Sequence, residues 1–229
     1  MVRDPSDCRQ CPIRLECVTA RLPPRELEEL QPAIRRRGVR RGQELATEGE
    51  VTSTVRVVRV GTAFAYRRGL DGRTRPIGVV ARGTPLGLLG VFGHPTQVSA
   101  LASSDVRVCE IPVRTLGDLA AADEGFSRHL ANVAMEACGQ IAAWSEAMRV
   151  RGVTNQLAYM LLLLSEAQHD SLVDLPTHAA LAELLGSTRE TMARSLGTLE
   201  DEGAIVRRPP KQCEVVREKM LARLDKNAP

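Results

Sequence analysis

The sequence has few aromatic residues and no long apolar run, and both absences narrow the class of protein. Phe, Trp and Tyr make up 3% of the 229 residues, so cores must be built from Leu, Val, Ile and Ala. No apolar run reaches the roughly 18 residues that a membrane span needs. The polar N-terminus, residues 1–6, has no hydrophobic stretch behind it. We therefore expect a cytoplasmic protein with neither a secretory signal nor membrane contact.

Catalytic side-chain sets are also missing, so we do not expect an enzyme. No nucleophile, base and acid occur together in a familiar pattern. The histidines are scattered along the chain without ligand spacing: His94, His129, His169 and His178. The net charge of +3 and the sequence pI near 8.6 are compatible with a nucleic-acid partner. The placement of the basic residues matters more than their excess.

Four of the six cysteines form the most informative pattern. Cys8, Cys11 and Cys17 lie in a C-x2-C-x5-C run, and Cys109 follows much later. In a reducing compartment, grouped cysteines are usually metal ligands or redox-active thiols. Iron–sulfur clusters take four thiolates, whereas zinc usually takes them from two short knuckles. The residues therefore favour an iron–sulfur cluster; the alternatives are a thiol–disulfide switch, zinc, or no ligand role at all.

The cysteine arm, residues 1–22, carries three of these thiols. We expect it to reach the body of the protein only through a group bound to the cysteines, so that oxidation of that group would release it. The two remaining cysteines, Cys138 and Cys213, lie in a predicted helix and a predicted strand. We expect both to be buried packing residues.

The sequence pattern from Val39 to Pro112 is typical of an antiparallel β-roll. Short apolar runs of β-branched character alternate with glycine turns, as in Val55–Val60 and Val106–Ile111. Asp71-Gly72 between two such runs indicates a hairpin. Many short strands at this spacing are typical of a roll or barrel.

A long helix is predicted from Phe126 to Arg151, where no proline occurs. Apolar residues recur along it in steps of four and three, which is a coiled-coil seam sustained for almost three heptads. We infer that this helix pairs with its copy in a homodimer. The predicted interface residues are Leu130, Ala134, Ala137, Ile141, Trp144 and Met148.

The C-terminal region predicts a winged helix-turn-helix that binds double-stranded DNA. Thr177–Leu185 is amphipathic, Gly186 suits a turn, and Ser187 or Thr188 can cap a second helix that runs to about Leu199. Arginine can bond guanine and glutamate can bond cytosine in the major groove. The predicted base-reading residues are Arg189, Glu190, Ala193 and Arg194. Those predicted to contact phosphates are Thr177, His178 and Thr188, with Arg207, Arg208 and Lys211 in a wing.

These elements predict an α+β chain in four parts. The cysteine arm (1–22) precedes a jelly-roll-like antiparallel β-roll sensor domain (23–122). A dimerisation helix (123–152) then joins it to the winged helix-turn-helix (153–229).

This order of elements resembles the Crp-Fnr superfamily of bacterial transcription regulators over nearly the whole chain. The resemblance is carried by Arg41–Gly49 in the roll, Val108–Pro112 at its exit and Arg189–Arg194 in the reader. The cysteines are similar to those of the Fnr branch, the fumarate and nitrate reduction regulators. That resemblance implies a [4Fe-4S] cluster held by Cys8, Cys11, Cys17 and Cys109.

The resemblance also allows predictions about cyclic nucleotide binding and about protein partners. In cyclic-AMP-binding members, a glutamate and an arginine contact the ribose and phosphate, and here those positions are Leu88 and Val98. An unpaired phosphate in such an apolar site is costly, so we expect no cyclic nucleotide. The implied function is an oxygen-responsive regulator that also contacts RNA polymerase. The alternatives are a regulator controlled by a disulfide switch, haem or a small effector, and an iron–sulfur electron-transfer protein.

The seam predicts a dimer that persists without a cluster. Fnr-type regulators often carry an acidic residue there, whereas this seam contains Ile141 and Trp144 and no carboxylate. Each facing apolar side chain adds burial worth about 1.5–3 kcal/mol. Analytical ultracentrifugation of the cluster-free protein should show a dimer, and a monomer would contradict this prediction.

The reading helix predicts a half-site closer to GTGA than to TTGAT. Fnr-type helices tend to have a small hydrophobic residue before the glutamate and a serine before the last arginine. Here those positions are Arg189 and Ala193, a pattern more similar to Crp. Each altered base preference is worth about 1–3 kcal/mol. Selection from random DNA should enrich GTGA, and recovery of TTGAT palindromes would refute the expectation.

Overall fold

The computed structural model describes residues 7–168, 170–208 and 212–226. The helices are α1 Pro24–Leu30, α2 Val113–Ala122, α3 Glu124–Ala147, α4 Val153–Gln168, α5 His178–Leu184, α6 Arg189–Asp201 and α7 Arg217–Lys226. The first eight strands are β1 Arg35–Val39, β2 Glu44–Ala46, β3 Thr54–Val60, β4 Ala63–Arg68, β5 Thr74–Val80, β6 Pro85–Leu86, β7 Ser99–Ala102 and β8 Val106–Pro112. The last three strands are β9 Leu172–Asp174, β10 Ile205–Arg208 and β11 Gln212–Val215.

This order confirms the predicted fold class of an antiparallel roll, a long helix and a C-terminal helix-turn-helix. The chain divides into two compact units, Met1–Ala63 with Val80–Gly139 and Phe64–Val79 with Gln140–Pro229. No helix among residues 7–168, 170–208 and 212–226 is long and apolar enough to cross a membrane. The four-part division predicted from the sequence stays a prediction.

In the first unit, one sheet has the strand order β1, β8, β3, β6. Cys109 on β8 is opposite Arg36 of β1 and Val57 of β3, so it lies in the middle of that sheet. The strand β1 pairs along its length with β8 and forms one edge of the sheet. Its residues Arg35–Gly38 are exposed. The sheet therefore buries the fourth cysteine and has a row of arginines at its edge.

The cysteine arm is folded against the roll, and the prediction that it reaches the body only through a bound group is wrong. Ile13, Val18 and Leu22 are buried in the same apolar cluster as Phe126 and Leu130 of α3. Each such side chain contributes about 1.5–3 kcal/mol when it leaves water. The arm therefore has an apolar anchor of its own.

In the second unit, β4 and β5 form the hairpin predicted around Asp71-Gly72, with Gly72 at φ +75°. The helix α4 supplies the C-terminal core with Leu157, Met160 and Leu161. A small sheet has the order β10, β11, β9. The strand β9 was not predicted from the sequence, because a three-residue strand gives too little alternation to recognise.

The long helix α3 differs from the prediction at two positions. It ends at Ala147, so the last seam residue, Met148, lies beyond it. There the bonding shifts to a tighter pattern, since the Arg149 N–H donates to the Glu146 carbonyl at 2.9 Å. Cys138 is exposed, so its assignment as a buried packing residue is wrong. It lies on the part of α3 that the apolar core does not cover.

The other seam residues differ in burial. Leu130 and Trp144 are buried within their own chain, whereas Ala134 and Ala137 are half-buried. Ile141 is 38% exposed, and Met135 on the same helix is 69% exposed. Apolar surface therefore remains on α3, and the interface residues stay a prediction.

Candidate functional site

The helices α5 and α6 form the predicted helix-turn-helix. Gly186 has φ +58°, a left-handed conformation that suits glycine between the helices. The Ser187 N–H donates to the Ala182 carbonyl at 2.8 Å and closes the end of α5. Met192, Leu196 and Leu199 are fully buried. This stripe fixes which side of α6 faces away from the core.

Two threonines cap the helix pair. The Thr177 hydroxyl accepts a hydrogen bond from the Ala180 N–H at 3.3 Å, and the Thr188 hydroxyl accepts one from the Thr191 N–H at 3.2 Å. An N-cap of this kind is worth about 0.5–2 kcal/mol. Of the two capping candidates, Thr188 is the one used. Both threonines therefore shape their helices, whether or not they also bond phosphates.

The predicted base-reading residues share the exposed side of α6: Arg189, Glu190, Ala193 and Arg194. A bond from the backbone N–H of Glu190 itself, and then one from the Thr188 hydroxyl, holds the pKa of the Glu190 carboxyl below its usual range. The carboxylate is therefore an ionised acceptor at neutral pH. This combination of cations and an acceptor suits base edges in a major groove.

His178 lies at the first position of α5. Burial lowers its pKa first, and the charges of Arg207 and Arg189 lower it further. The imidazole is therefore neutral at pH 7 and offers a hydrogen bond without a charge. His178 begins α5, Arg189 begins α6 and Arg207 lies on the wing strand β10.

The wing cations are held in ion pairs. Arg207 pairs with Glu200 at 3.1 Å and Arg208 with Glu214 at 2.7 Å. Exposed pairs are worth only about 0–1 kcal/mol, so a phosphate can compete for either arginine. Lys211, the third predicted wing cation, lies outside the described residues.

A contact that the sequence did not reveal joins the β4–β5 hairpin to α5. The Tyr66 hydroxyl donates to Oε1 of Glu183 at 3.0 Å. Burial raises the pKa of Tyr66, and the bond to Glu183 raises it further. The phenol is therefore a permanent donor at neutral pH. The second unit thus fastens a roll hairpin to the first helix of the DNA-binding pair.

The four predicted ligand cysteines belong to one region of the first unit. Cys8 lies in the apolar core with Cys11 and Cys17 packed against it. Burial is the main cause that raises the pKa of Cys8 and of Cys109; Cys17, when ionised, raises both further, and Cys8 acts likewise on Cys109. Such mutual effects require short separations. Cys8 and Cys17 of the arm are therefore electrostatically coupled to Cys109 on β8.

Burial controls the protonation of these thiols. It raises the pKa of Cys8 and Cys17, and it raises that of Cys109 to about 11. The pKa of Cys213, which is buried as predicted, rises to about 12 for the same reason. Cys8, Cys17, Cys109 and Cys213 are therefore protonated at neutral pH in the metal-free chain. Binding a metal centre would release protons.

Two arginines place positive charge beside the thiols. Arg36 on β1 and Arg59 on β3 act on both Cys8 and Cys109, in the direction that lowers their pKa. Arg59 is buried with 5% of its surface exposed. Four thiolates carry a large negative charge, and nearby guanidinium groups reduce the cost of burying it.

Polar contacts that the sequence did not reveal shape the arm. The Cys8 N–H donates to the Gln31 side-chain carbonyl at 3.3 Å, and the Thr19 hydroxyl donates to the Cys17 sulfur at 3.4 Å. Arg14 donates to the carbonyls of Thr19 at 2.6 Å and Leu22 at 3.1 Å. No sequence pattern could have found these contacts, because each depends on where the loop backbone runs.

The thiols are gathered but not arranged around a single ion. All six cysteines, each of which lies in the described part of the chain, are free. Among the residues that the structure describes, no three His, Cys, Asp or Glu side chains form a group that could hold one metal ion.

Two family models match the chain. Residues 36–123 match the cyclic nucleotide-binding domain, and residues 155–224 match the Crp-like helix-turn-helix domain. The first covers the β-roll and the second covers α5, α6 and the wing. The two matches occur in the order in which the elements were derived above.

Curated relatives and a solved structure agree with these matches. The fumarate nitrate reduction regulatory protein of Klebsiella oxytoca is 32% identical over 49% of this chain and 45% of its own length. The transcriptional activator protein FnrL of Cereibacter sphaeroides is 24% identical over 86% of this chain and 83% of its own. The structure of FixK2 from Bradyrhizobium japonicum has a TM-score of 0.69 at 20% identity, covering 86% of this chain and 98% of its own.

Replacing Arg194 on the exposed side of α6 should weaken specific DNA binding. Arg194→Ala removes a base-contact donor worth about 1–3 kcal/mol, or roughly 5- to 150-fold in affinity. Fluorescence anisotropy with the selected operator and with scrambled DNA measures this loss. Arg128→Ala removes an exposed arginine paired with Glu124 on α3 and serves as the matched control. Equal losses in both variants, or equal losses on both DNAs, would contradict the assigned reading role.

Proposed function

Because the chain belongs to the Crp-Fnr family of transcription regulators, we propose that it is an oxygen-responsive member of the Fnr type. It is a DNA-binding regulator by its fold and its helix-turn-helix domain. The proposal adds three properties, namely a [4Fe-4S] cluster on Cys8, Cys11, Cys17 and Cys109, homodimeric binding to palindromic DNA, and control of that binding by oxygen.

The shared core of the arm and α3 is the observation that carries the redox part. Val18 and Leu22 of the arm belong to the same apolar cluster as Phe126 and Leu130 of α3. A change in the arm therefore alters the packing of the helix that is proposed to form the dimer. Close-packed cores transmit such changes because they leave little free volume.

The donor set fits an iron–sulfur cluster. Cys8, Cys11 and Cys17 of the arm share one apolar cluster, Cys8 and Cys109 are buried, and Arg36 and Arg59 act to lower the pKa of Cys8 and Cys109. These are the features that hold and tune such clusters. When bound, the cluster supplies a centre that oxygen can oxidise. The chain itself gathers the thiolates, excludes water from them and couples the arm to α3.

Dimerisation would give the reading helices their spacing. A two-fold site requires two recognition helices about one DNA turn, roughly 34 Å, apart. The exposed apolar residues of α3, Met135 and Ile141, support pairing of this helix with its copy. The helix α3 and the arm share one apolar core. Binding of a cluster by the cysteines would therefore affect the spacing of the two helix-turn-helix domains in the proposed dimer.

We also infer that the roll does not bind a cyclic nucleotide, although it matches that domain model. Leu88, at the position of the ribose-binding acid in nucleotide-binding members, is buried with 4% of its surface exposed. Val98, at the phosphate-binding position, provides no charge. A cyclic phosphate there would lose its hydration without gaining a partner.

RNA polymerase is the proposed protein partner. FnrL, similar over most of the chain, is named a transcriptional activator. An activator works by contact with the transcription machinery, so the same partner is proposed for this chain.

Removing any proposed ligand cysteine should abolish both cluster binding and the oxygen response. Cys109→Ala, purified and reconstituted without air, should lack the broad visible absorbance, iron and sulfide of the unchanged protein. Its DNA affinity should be the same with and without oxygen. The cause is that three thiolates leave one iron of the cluster without its protein ligand.

Cys138→Ala is the matched control, since it removes an exposed thiol on α3 that is not a proposed ligand. It should keep full iron content and full oxygen sensitivity. If the unchanged protein carries no iron, or if Cys109→Ala retains it, the proposed cluster is wrong. An oxygen response that survives without iron and disappears in dithiothreitol would favour a disulfide switch instead.

A further inference from the structure

Arg82, in the loop after β5, contacts the cysteine arm at two points. Its Nη2 donates to the Pro12 carbonyl at 2.8 Å and to Oε1 of Glu16 at 3.2 Å. Pro12 directly follows Cys11, and Glu16 directly precedes Cys17. One guanidinium group therefore holds the backbone beside one proposed ligand and the side chain beside another.

The ion pair between Arg82 and Glu16 is partly shielded from solvent. The side chains of Arg82 and Glu16 are 36% and 23% exposed. Nε of Arg82 and Oε2 of Glu16 are fully shielded and have no hydrogen-bond partner within the described chain. Either charge alone in this place would cost more than the pair, because half-buried charges need their counter-ions. Formation of the pair and docking of the arm are therefore linked.

The neighbouring glycine shows how closely the loop approaches the arm. Gly83 has φ +82°, a conformation that side chains rarely adopt. A Cβ built on it would lie 3.0 Å from the Glu16 Cβ and 3.3 Å from the Glu16 carbonyl oxygen. Any larger residue would push the arm away. In this loop, Gly83 leaves space for the arm to approach closely, and Arg82 provides the positive charge that pairs with Glu16.

The arm is held in shape by contacts of its own. Arg14 bonds to carbonyls within the arm, at Thr19 and Leu22, so it braces the loop internally. Arg82 instead comes from a separate part of the roll. The arm is therefore a braced loop that Arg82 fastens at its middle, between Cys11 and Cys17.

We propose that Arg82 is a positioning residue, which docks the cysteine arm on the roll before any cluster is bound. Its role toward a cluster rests on the proposed function, whereas the docking itself does not. The arm that carries Cys8, Cys11 and Cys17 is thus held on the roll that carries Cys109 in the metal-free protein. Assembly of a cluster then starts from a nearly formed site, which lowers the ordering cost of binding.

The docking can be tested on full-length, cluster-free protein. Arg82→Ala should increase the rate of Cys17 alkylation by iodoacetamide roughly tenfold to a hundredfold, since it removes two charge-assisted bonds that oppose local opening. Trypsin should also cut faster after Arg14 and Arg21. Peptide mass spectrometry follows both readouts. Arg75→Ala removes an exposed arginine with two bonds to Asp71, at 2.9 and 2.5 Å, and is the matched control.

Two further variants keep the test sound if Arg82→Ala folds poorly. Glu16→Gln keeps the size of the side chain but removes its charge, and Gly83→Ala leaves Arg82 intact but crowds the arm. Both should increase Cys17 alkylation, whereas Arg82→Lys should restore part of the protection. If all of these variants match Arg75→Ala, the docking role is refuted.

Anaerobic iron uptake separates this inference from the proposed function. Slower or incomplete uptake of ferrous iron and sulfide by Arg82→Ala supports the positioning role. Uptake equal to that of Arg75→Ala, despite faster alkylation, overturns it. If the unchanged protein takes up no iron, the proposed function fails, and alkylation alone then decides whether Arg82 docks the arm.

Discussion

The apolar core shared by the cysteine arm and the start of α3 is the constraint on which the proposed sensing depends. Val18 and Leu22 cannot leave their places without exposing Phe126 and Leu130 to water. Movement of the arm therefore costs several kcal/mol by the scale of about 1.5–3 kcal/mol for each buried side chain. A bound group need not hold the arm alone. It has only to change the equilibrium between the docked and the released arm, which packing and the Arg82 contacts already set. A modest change in ligation can shift such an equilibrium.

The DNA-binding head separates structural residues from reading residues along α6. Met192, Leu196 and Leu199 hold the helix in its core, and Thr188 caps its first turn. The side chains of the reading residues on the exposed side make bonds within the first turns of α6, as Arg194 does to Thr191, and no buried packing contact depends on them. Substitutions there should alter sequence preference with little effect on folding. The bond from Tyr66 to Glu183 adds a connection from a roll hairpin to α5, which gives the head a fixed neighbour.

Periodic features were predictable from the sequence and contacts between distant segments were not. Alternating strands, the Asp71-Gly72 hairpin and the α5–α6 pair follow from local patterns and turn residues, and the structure contains each of them. The docking of the arm was missed because Ile13 and Val18 lie in a short loop without periodicity, and Phe126 and Leu130 of the same cluster are more than a hundred residues away in sequence. Arg82 was missed for a related reason, since a lone arginine after a strand gives no sign of its target. Met148 was misplaced because heptad spacing does not specify where a helix ends.

The arginine-lined edge strand β1 has a consequence for the behaviour of the protein at high concentration. An open sheet edge offers unpaired backbone groups to any other extended chain, and this is a common route to aggregation. Here Arg35, Arg36 and Arg37 are exposed on that strand. A second copy that approached edge to edge would bring its own three guanidinium groups against them. Although Arg37 also contacts Glu110 at 3.5 Å, like-charge repulsion between the arginines opposes strand addition between two copies at this edge.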